Sequence, residues 1–327
     1  MNLPFSCHQP LPDTEFQLNV PILDYLDKRL IFVTGKGGVG KSTVAIAMGI
    51  RAALEGKRTI VVEVASTENT SRIFRQEDVG YKEVEVANDL WAISIDPDDS
   101  MREYVLLQLK VRAMRDLLFK SRMFTYLADA TPGLKELVTI GKIWELAQPN
   151  RKIKHGRRYD LVVVDSPATG HGISFLQTPR TFANIARVGP MHTQSRALEN
   201  MITDHELTGS VIVSLPEEMP VNETADLEAE LTGDIDVSVD RVIMNALYPD
   251  RFSKTDMAAL KKLADSEDRE LRAVYRGALT QSRRSAAQQE QLERLRGMVS
   301  SPITTLPFIF EPELTLKAAR SLAEGLS

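Results

Sequence analysis

Short blocks of continuous apolar, mostly β-branched residues recur along this chain, separated by longer stretches with helical spacing. The first, Leu30–Thr34 (LIFVT), meets a glycine cluster and then apolar positions at Val44, Ala45, Ala47, Met48 and Ile50, which mark one face of a helix. That helix is expected to run to about Glu55 and to stop at Gly56. Thr59–Val64 (TIVVEV) and Leu90–Ile95 (LWAISI) follow, and Asp96-Pro97-Asp98-Asp99-Ser100 then caps a helical region. Leu161–Val164, ending at Asp165, Val211–Leu215, Arg241–Asn245 and Thr304–Phe310 complete the set. Apolar runs without alternation are those of strands covered on both faces. Strands alternating with helical segments predict an α/β fold: a doubly wound, mostly parallel sheet with helices on both faces. A short helix is expected around Ile22–Lys28, and an amphipathic one over Pro312–Leu326 docked on the core.

The third and fourth blocks are far apart. Between them, Tyr104–Leu127 carries Leu, Val, Met and Phe with Lys110, Arg112, Arg115, Lys120 and Arg122 interleaved. Two readings stand: an amphipathic helix covering core, or an adaptable groove for a client. The expected organisation is one domain over residues 1–327, with helical insert segments at 98–150 and 180–208 forming a subdomain. Residues 253–299 mix basic and acidic positions and read as solvated helix faces.

Composition narrows the function classes. Of 327 residues, 43% are hydrophobic and 26% charged, the balance of a soluble globular chain, and the net charge of −5 gives no global attraction to nucleic acid. The single cysteine, Cys7, excludes an internal disulfide and a multi-cysteine metal site, and the five histidines show no metal spacing. The N-terminal residues lack a signal-peptide pattern, and no run of about 18 apolar residues occurs, so a cytoplasmic location is expected.

The chemistry concentrates after the first strand. Gly35, Gly40, Lys41 and Ser42 fit G-x-x-x-x-G-K-[ST], a phosphate-binding loop placed between strand and helix. Gly35, Gly37, Gly38, Val39 and Gly40 let backbone N–H groups close on phosphate oxygens, and the helix start at Lys41, Ser42 and Thr43 adds partial positive charge. Lys41 is expected on the β- and γ-phosphates and Ser42 on Mg²⁺. Asp165, at the end of its apolar strand, is a candidate to hold the same Mg²⁺ through water. Thr169, Gly170 and Gly172 suggest a mobile segment after it.

A second lysine, Lys36, makes the loop Gly-Lys-Gly-Gly-Val-Gly-Lys-Ser-Thr. This resembles the deviant phosphate loop of partition ATPases, nitrogenase iron protein, arsenite-pump ATPases and ATPases that target tail-anchored proteins. DSPATGHGISFLQTP, beginning at Asp165, is similar to the second switch of the last two groups, as are Ala130–Leu137, Pro216–Leu227 and Val242–Leu247 to their other blocks. The resemblance spans about Leu30–Phe310 and is nearest to a bacterial anion-transporting branch with paired paralogues. It implies ATP and Mg²⁺ as cofactors and a homodimer or a heterodimer with a paralogous ATPase, engaging a hydrophobic-helix client or a membrane-protein partner. It implies that Lys36 reaches the partner's nucleotide, that Glu223 lies near the nucleotide at the dimer interface, and that Asn245 reads adenine. Pro307 and Phe308 are expected against the base.

The chain departs from that family pattern where the first switch carries a water-orienting Asp. Here that position is Ala65, which can neither position nor deprotonate water, so slow hydrolysis is expected. Glu63, two residues earlier, is the carboxylate expected to help through Mg²⁺-bound water, with Glu68 second. The missing cysteines weigh against a metalloid pump. A regulatory nucleotide-binding subunit and a small-molecule kinase remain as rival readings of the same loop.

Overall fold

The computed structural model describes residues 24–64, 69–74, 79–108, 131–151, 158–168 and 171–326. Ala65, Glu68, Cys7, Thr169, Gly170 and most of the Tyr104–Leu127 segment lie outside them.

Among the described residues, eight strands form one sheet: β1 (Leu30–Thr34), β2 (Thr59–Val64), β3 (Val84–Ala87), β4 (Leu90–Ile95), β5 (Leu161–Asp165), β6 (Thr208–Ser214), β7 (Val239–Leu247) and β8 (Ile303–Pro307). Their spatial order is β3-β4-β2-β5-β1-β6-β7-β8. All neighbours run parallel except the β3–β4 edge pair. The helices are α1 (Lys41–Leu54), α2 (Asn69–Phe74), α3 (Pro97–Gln108), α4 (Leu134–Ala147), α5 (His171–Ala186), α6 (Pro190–Ile202), α7 (Glu218–Glu230), α8 (Lys254–Lys261), α9 (Arg269–Arg296) and α10 (Leu316–Glu324).

The sheet is buried on both faces. On one, α1 and α10 pack over Ile31, Val33, Val61, Val163 and Val213. On the other, α4, α5, α6 and α7 pack over Phe32, Ile60, Val62, Val162 and Val164. Burial on two faces is why the central strands read as unbroken apolar runs. Glu55 follows α1, and Gly56 adopts φ +82 after it, as a helix stop requires. α10 docks on the core through Ala319, Leu322 and Ala323.

Several boundaries differ from those read in the sequence. β3 is an added antiparallel strand: Val84-Glu85-Val86-Ala87 is short and charged, and it pairs only because the Asn88–Asp89 turn, with Asp89 at φ +56, folds it onto β4. β8 stops at Pro307 rather than Phe310, after which the chain turns into an aromatic cluster. β6 and β7 begin earlier than expected, at Thr208 and Val239, and α10 begins at Leu316 rather than Pro312, capped by the Thr315 hydroxyl. The lead-in helix is a single 3-10 turn, Asp24–Asp27. Gly172 lies inside α5, where a Cβ would come within 2.9 Å of the Pro167 carbonyl oxygen; close approach, rather than mobility, explains that glycine. No helix among the described residues is long and apolar enough to cross a membrane.

Candidate active site

The carboxyl ends of β2, β5, β1, β6 and β7 converge on the glycine loop. β1 delivers the chain to Gly35, whose φ of +141 is open to glycine and whose missing side chain leaves room for the Val213 carbonyl of β6. Gly37 and Gly38 are exposed, and Val39 is buried under the loop. Gly40 adopts φ +94 and caps α1, with no side chain bonding to the helix start; a Cβ there would overlap the Asn245 amide. The first N–H groups of α1 are therefore not covered by a capping side chain, which leaves them to an anion.

Lys41 curls back so that its ammonium donates to the Lys36 carbonyl at 2.9 Å. Ser42 is hydrogen-bonded to the Asp165 carboxylate. Thr43 follows in the first turn of α1, half-buried. Asp165 is held in parallel register between Val33 of β1 and Glu63 of β2. Side chains alternate along a strand, so Glu63 and Asp165 share the sheet face that also carries α1. Glu63 is 1% exposed, and its Oε1 accepts the Thr70 N–H of α2 at 2.9 Å. It therefore holds α2 rather than facing solvent.

The electrostatics follow from this burial. Desolvation raises Glu63 to about 7, opposed by the Thr70 hydrogen bonds and reinforced by the nearby Asp165. Desolvation also raises Asp165 above the usual carboxylate range, against the Ser42 bond and the Lys41 charge, and it lowers Lys41 against the attraction of Asp165. Each group is thus short of compensating charge, a common state for residues that meet a charged ligand.

Two predicted residues take cis partners. Lys36 forms an ion pair with Glu223 of α7 in the same chain. Asn245, at the end of β7, donates from Nδ2 to the Val39 carbonyl at 3.0 Å and so ties the glycine loop to β7. Pro307 is exposed at the end of β8. Phe308 stacks on Tyr248 at 4.7 Å, and Phe310 meets both rings edge-on. Arg251 lies over Phe310 and Arg284 over Tyr248. Tyr248 was not anticipated; the signal was an aromatic residue immediately after Leu247, where β7 ends. Thr70, which holds Glu63, had no local signal at all. The His171 side chain lies outside the described set.

Comparison with known proteins is consistent with this geometry. The model of the family "Anion-transporting ATPase" matches residues 28–190 and 183–277. ATPase BagA of Mycobacterium tuberculosis is 31% identical over 248 residues, covering 73% of this chain and 70% of that protein. ATPase GET3 of Kluyveromyces lactis is 27% identical over 263 residues, covering 70% of this chain and 74% of its own. With its glycine-rich loop and these matches over most of the chain, this protein is a member of the anion-transporting ATPase family.

Proposed function

We propose that this chain is a Mg²⁺-dependent ATPase working as an ATP-gated dimer, with slow turnover of its own. The observation that carries the reading is the shared charge deficit at Lys41, Asp165 and Glu63 beside an uncapped helix start. A triphosphate brings negative charge to Lys41 and to the α1 N–H groups. Mg²⁺ favours hard oxygen donors, and the Ser42 hydroxyl with the desolvated Asp165 carboxylate fits that preference. Bound there, the ion supplies charge that neutralises the transferred phosphoryl group.

The chain's own residues set the rest. Lys41 leaves the Lys36 carbonyl for the phosphates. Lys36 exchanges Glu223 for the partner chain's nucleotide, where a lysine away from water has its largest effect. Asn245 offers an amide to the adenine edge while holding the loop through Val39. Pro307 and Phe308 flank the base, and Tyr248 backs Phe308. Glu63 acts as a positioning residue, fixing α2 through the Thr70 N–H. With no carboxylate at residue 65 to orient water, hydrolysis is slow.

The partner is a second copy or a paralogue, and the client a hydrophobic helix; exposed Ile185 in the last turn of α5 and Val188 in the turn that follows support an apolar contact there. Calorimetric titration with ATP and Mg²⁺ tests the site: Lys41→Ala should bind at least about 100-fold more weakly, the loss expected when a buried phosphate pair is broken. Wild-type affinity in that variant would remove the assignment. Ala65→Asp should raise steady-state turnover, and an unchanged rate would remove residue 65 as the limit.

A further inference from the structure

Away from the phosphate loop, between α3, α4 and α6, lies a cavity of about 330 Å³. That volume is at the small end of ligand pockets, which run from roughly 300 to 1,000 Å³. Its walls are mostly apolar: Leu134, Leu137, Val138 and Trp144 come from α4, Met191 and Leu198 from α6.

The charged groups at its edge are matched among themselves. The Lys142 ammonium lies 3.0 Å from Glu103 and 3.1 Å from Glu145. The Tyr81 hydroxyl donates to Glu103, and Arg151 pairs with Glu145 and, at 2.7 Å, with Glu83. An ion entering this cavity would lose its water and find every opposite charge already engaged.

Two neutral hydroxyls that line the cavity, those of Ser100 and Ser195, are buried without a hydrogen-bond partner among the described residues. Of the two, Ser195 is 0% exposed. A buried hydroxyl without a partner is costly, so one that lines a cavity points to a ligand atom that completes it. Gly141 adds an independent observation. It sits in the interior of α4, where glycine is about 1 kcal/mol less favourable than alanine. Among the described residues nothing lies within 4 Å of a Cβ built there, so none of them demands the glycine, and the space over it belongs to the cavity it lines.

We propose that this cavity is a binding site for a small, uncharged, mostly apolar molecule carrying a hydroxyl or carbonyl oxygen that pairs with Ser195. The site shares no residue with the phosphate loop.

Trp144 lines the cavity and is one of two tryptophans, so Trp91→Phe leaves it as the sole emitter. Benzyl alcohol, benzoate and benzylamine match in size and differ in charge. Benzyl alcohol should change Trp144 emission saturably, with benzoate and benzylamine at least ten-fold weaker. Ser195→Ala should weaken benzyl alcohol about five-fold, the worth of one hydrogen bond. Gly141→Leu, which fills the space, should abolish binding while the melting temperature holds or rises. Ala197→Phe on the α6 wall gives a second blocking variant if Gly141→Leu fails to fold, and ligand-observed NMR on the chain with both tryptophans repeats the comparison without Trp91→Phe. Equal binding of the three probes, binding that survives both blocking variants, or no saturable response, as when only water pairs with Ser195, would overturn the proposal.

Discussion

Two buried charge clusters in this molecule are built in opposite ways. Beside β3 and α4, burial pushes the Glu83 carboxyl up, yet hydrogen bonds from Arg151 and Tyr159 hold it below the usual glutamate value. Arg151, 2% exposed, is made more basic by Glu83 and Glu145 despite its burial. At the ends of β2, β5 and β1 the shifts reverse: burial outweighs the available partners, so Asp165 and Glu63 rise and Lys41 falls. The first cluster is complete in itself and holds elements together. The second lacks counter-charge, which the proposed ATP and Mg²⁺ would supply. The sign of the shift, more than the presence of buried charge, separates the structural network from the reactive site.

The sharpest way to break this contrast is to remove one carboxylate from each cluster. Asp165→Asn should lower ATP turnover by about 100-fold or more, as expected for a group that acts on charge in the transition state. Without nucleotide the same variant should melt higher than wild type, because a carboxylate resisted by its surroundings is replaced by a neutral amide. Steady-state ATPase assays and thermal melts give both readings; unchanged turnover would take Asp165 out of the site. Glu83→Gln should do the reverse. It should cost about 2 kcal/mol of stability, less than a fully unpaired buried charge because Arg151 keeps Glu145, while turnover per folded molecule stays the same.

Acid sharpens the same comparison. A carboxylate whose folded pKa is depressed contributes stability above its unfolded value near 4.5, and that contribution is lost as pH falls through the folded value. The wild-type melting temperature should therefore drop more steeply below pH 4.5 than that of Glu83→Gln. Parallel curves would mean that Glu83 carries no such linkage.

Much of this was legible in the sequence, for local reasons. The phosphate loop is one uninterrupted segment, and strands buried on both faces announce themselves as apolar runs. What escaped depends on distant partners. Val84–Ala87 has no strand pattern of its own and pairs only through β4. Leu306–Phe310 is equally apolar whether it pairs in a sheet or stacks on Tyr248, so the end of β8 could not be read. The residue choices at Glu63 and Asp165 suggested chemistry, but their parallel register and the shared desolvation that raises both come from sheet order. The Lys36–Glu223 pair joins positions 187 apart, and nothing local signals it.

Smaller effects are expected where a side chain serves both loop and ligand. Asn245→Ala should narrow the preference for ATP over GTP by about ten-fold, and the lost bond to Val39 should cost about 1 kcal/mol of stability. Competition binding with the two nucleotides reads the first, and a melt reads the second. A stability loss with intact base preference would leave Asn245 as a loop tether alone.

The smallest stability effect is expected at Lys36–Glu223. The two side chains are 43% and 32% exposed, so solvent screens the pair and its loss should change stability by less than about 0.5 kcal/mol. Its consequence for assembly is larger in proportion. Lys36 cannot sit on Glu223 and reach another chain's phosphates at once, so the cis pair would compete with the proposed trans contact. Glu223→Gln weakens the cis pair without removing the lysine, and should therefore lower the ATP concentration needed for dimerisation by two- to five-fold, whereas Lys36→Ala should raise it. Light scattering across an ATP titration measures both. If the two variants shift dimerisation in the same direction, the pair is part of the closed interface rather than a competitor of it, and the exchange of partners by Lys36 is wrong.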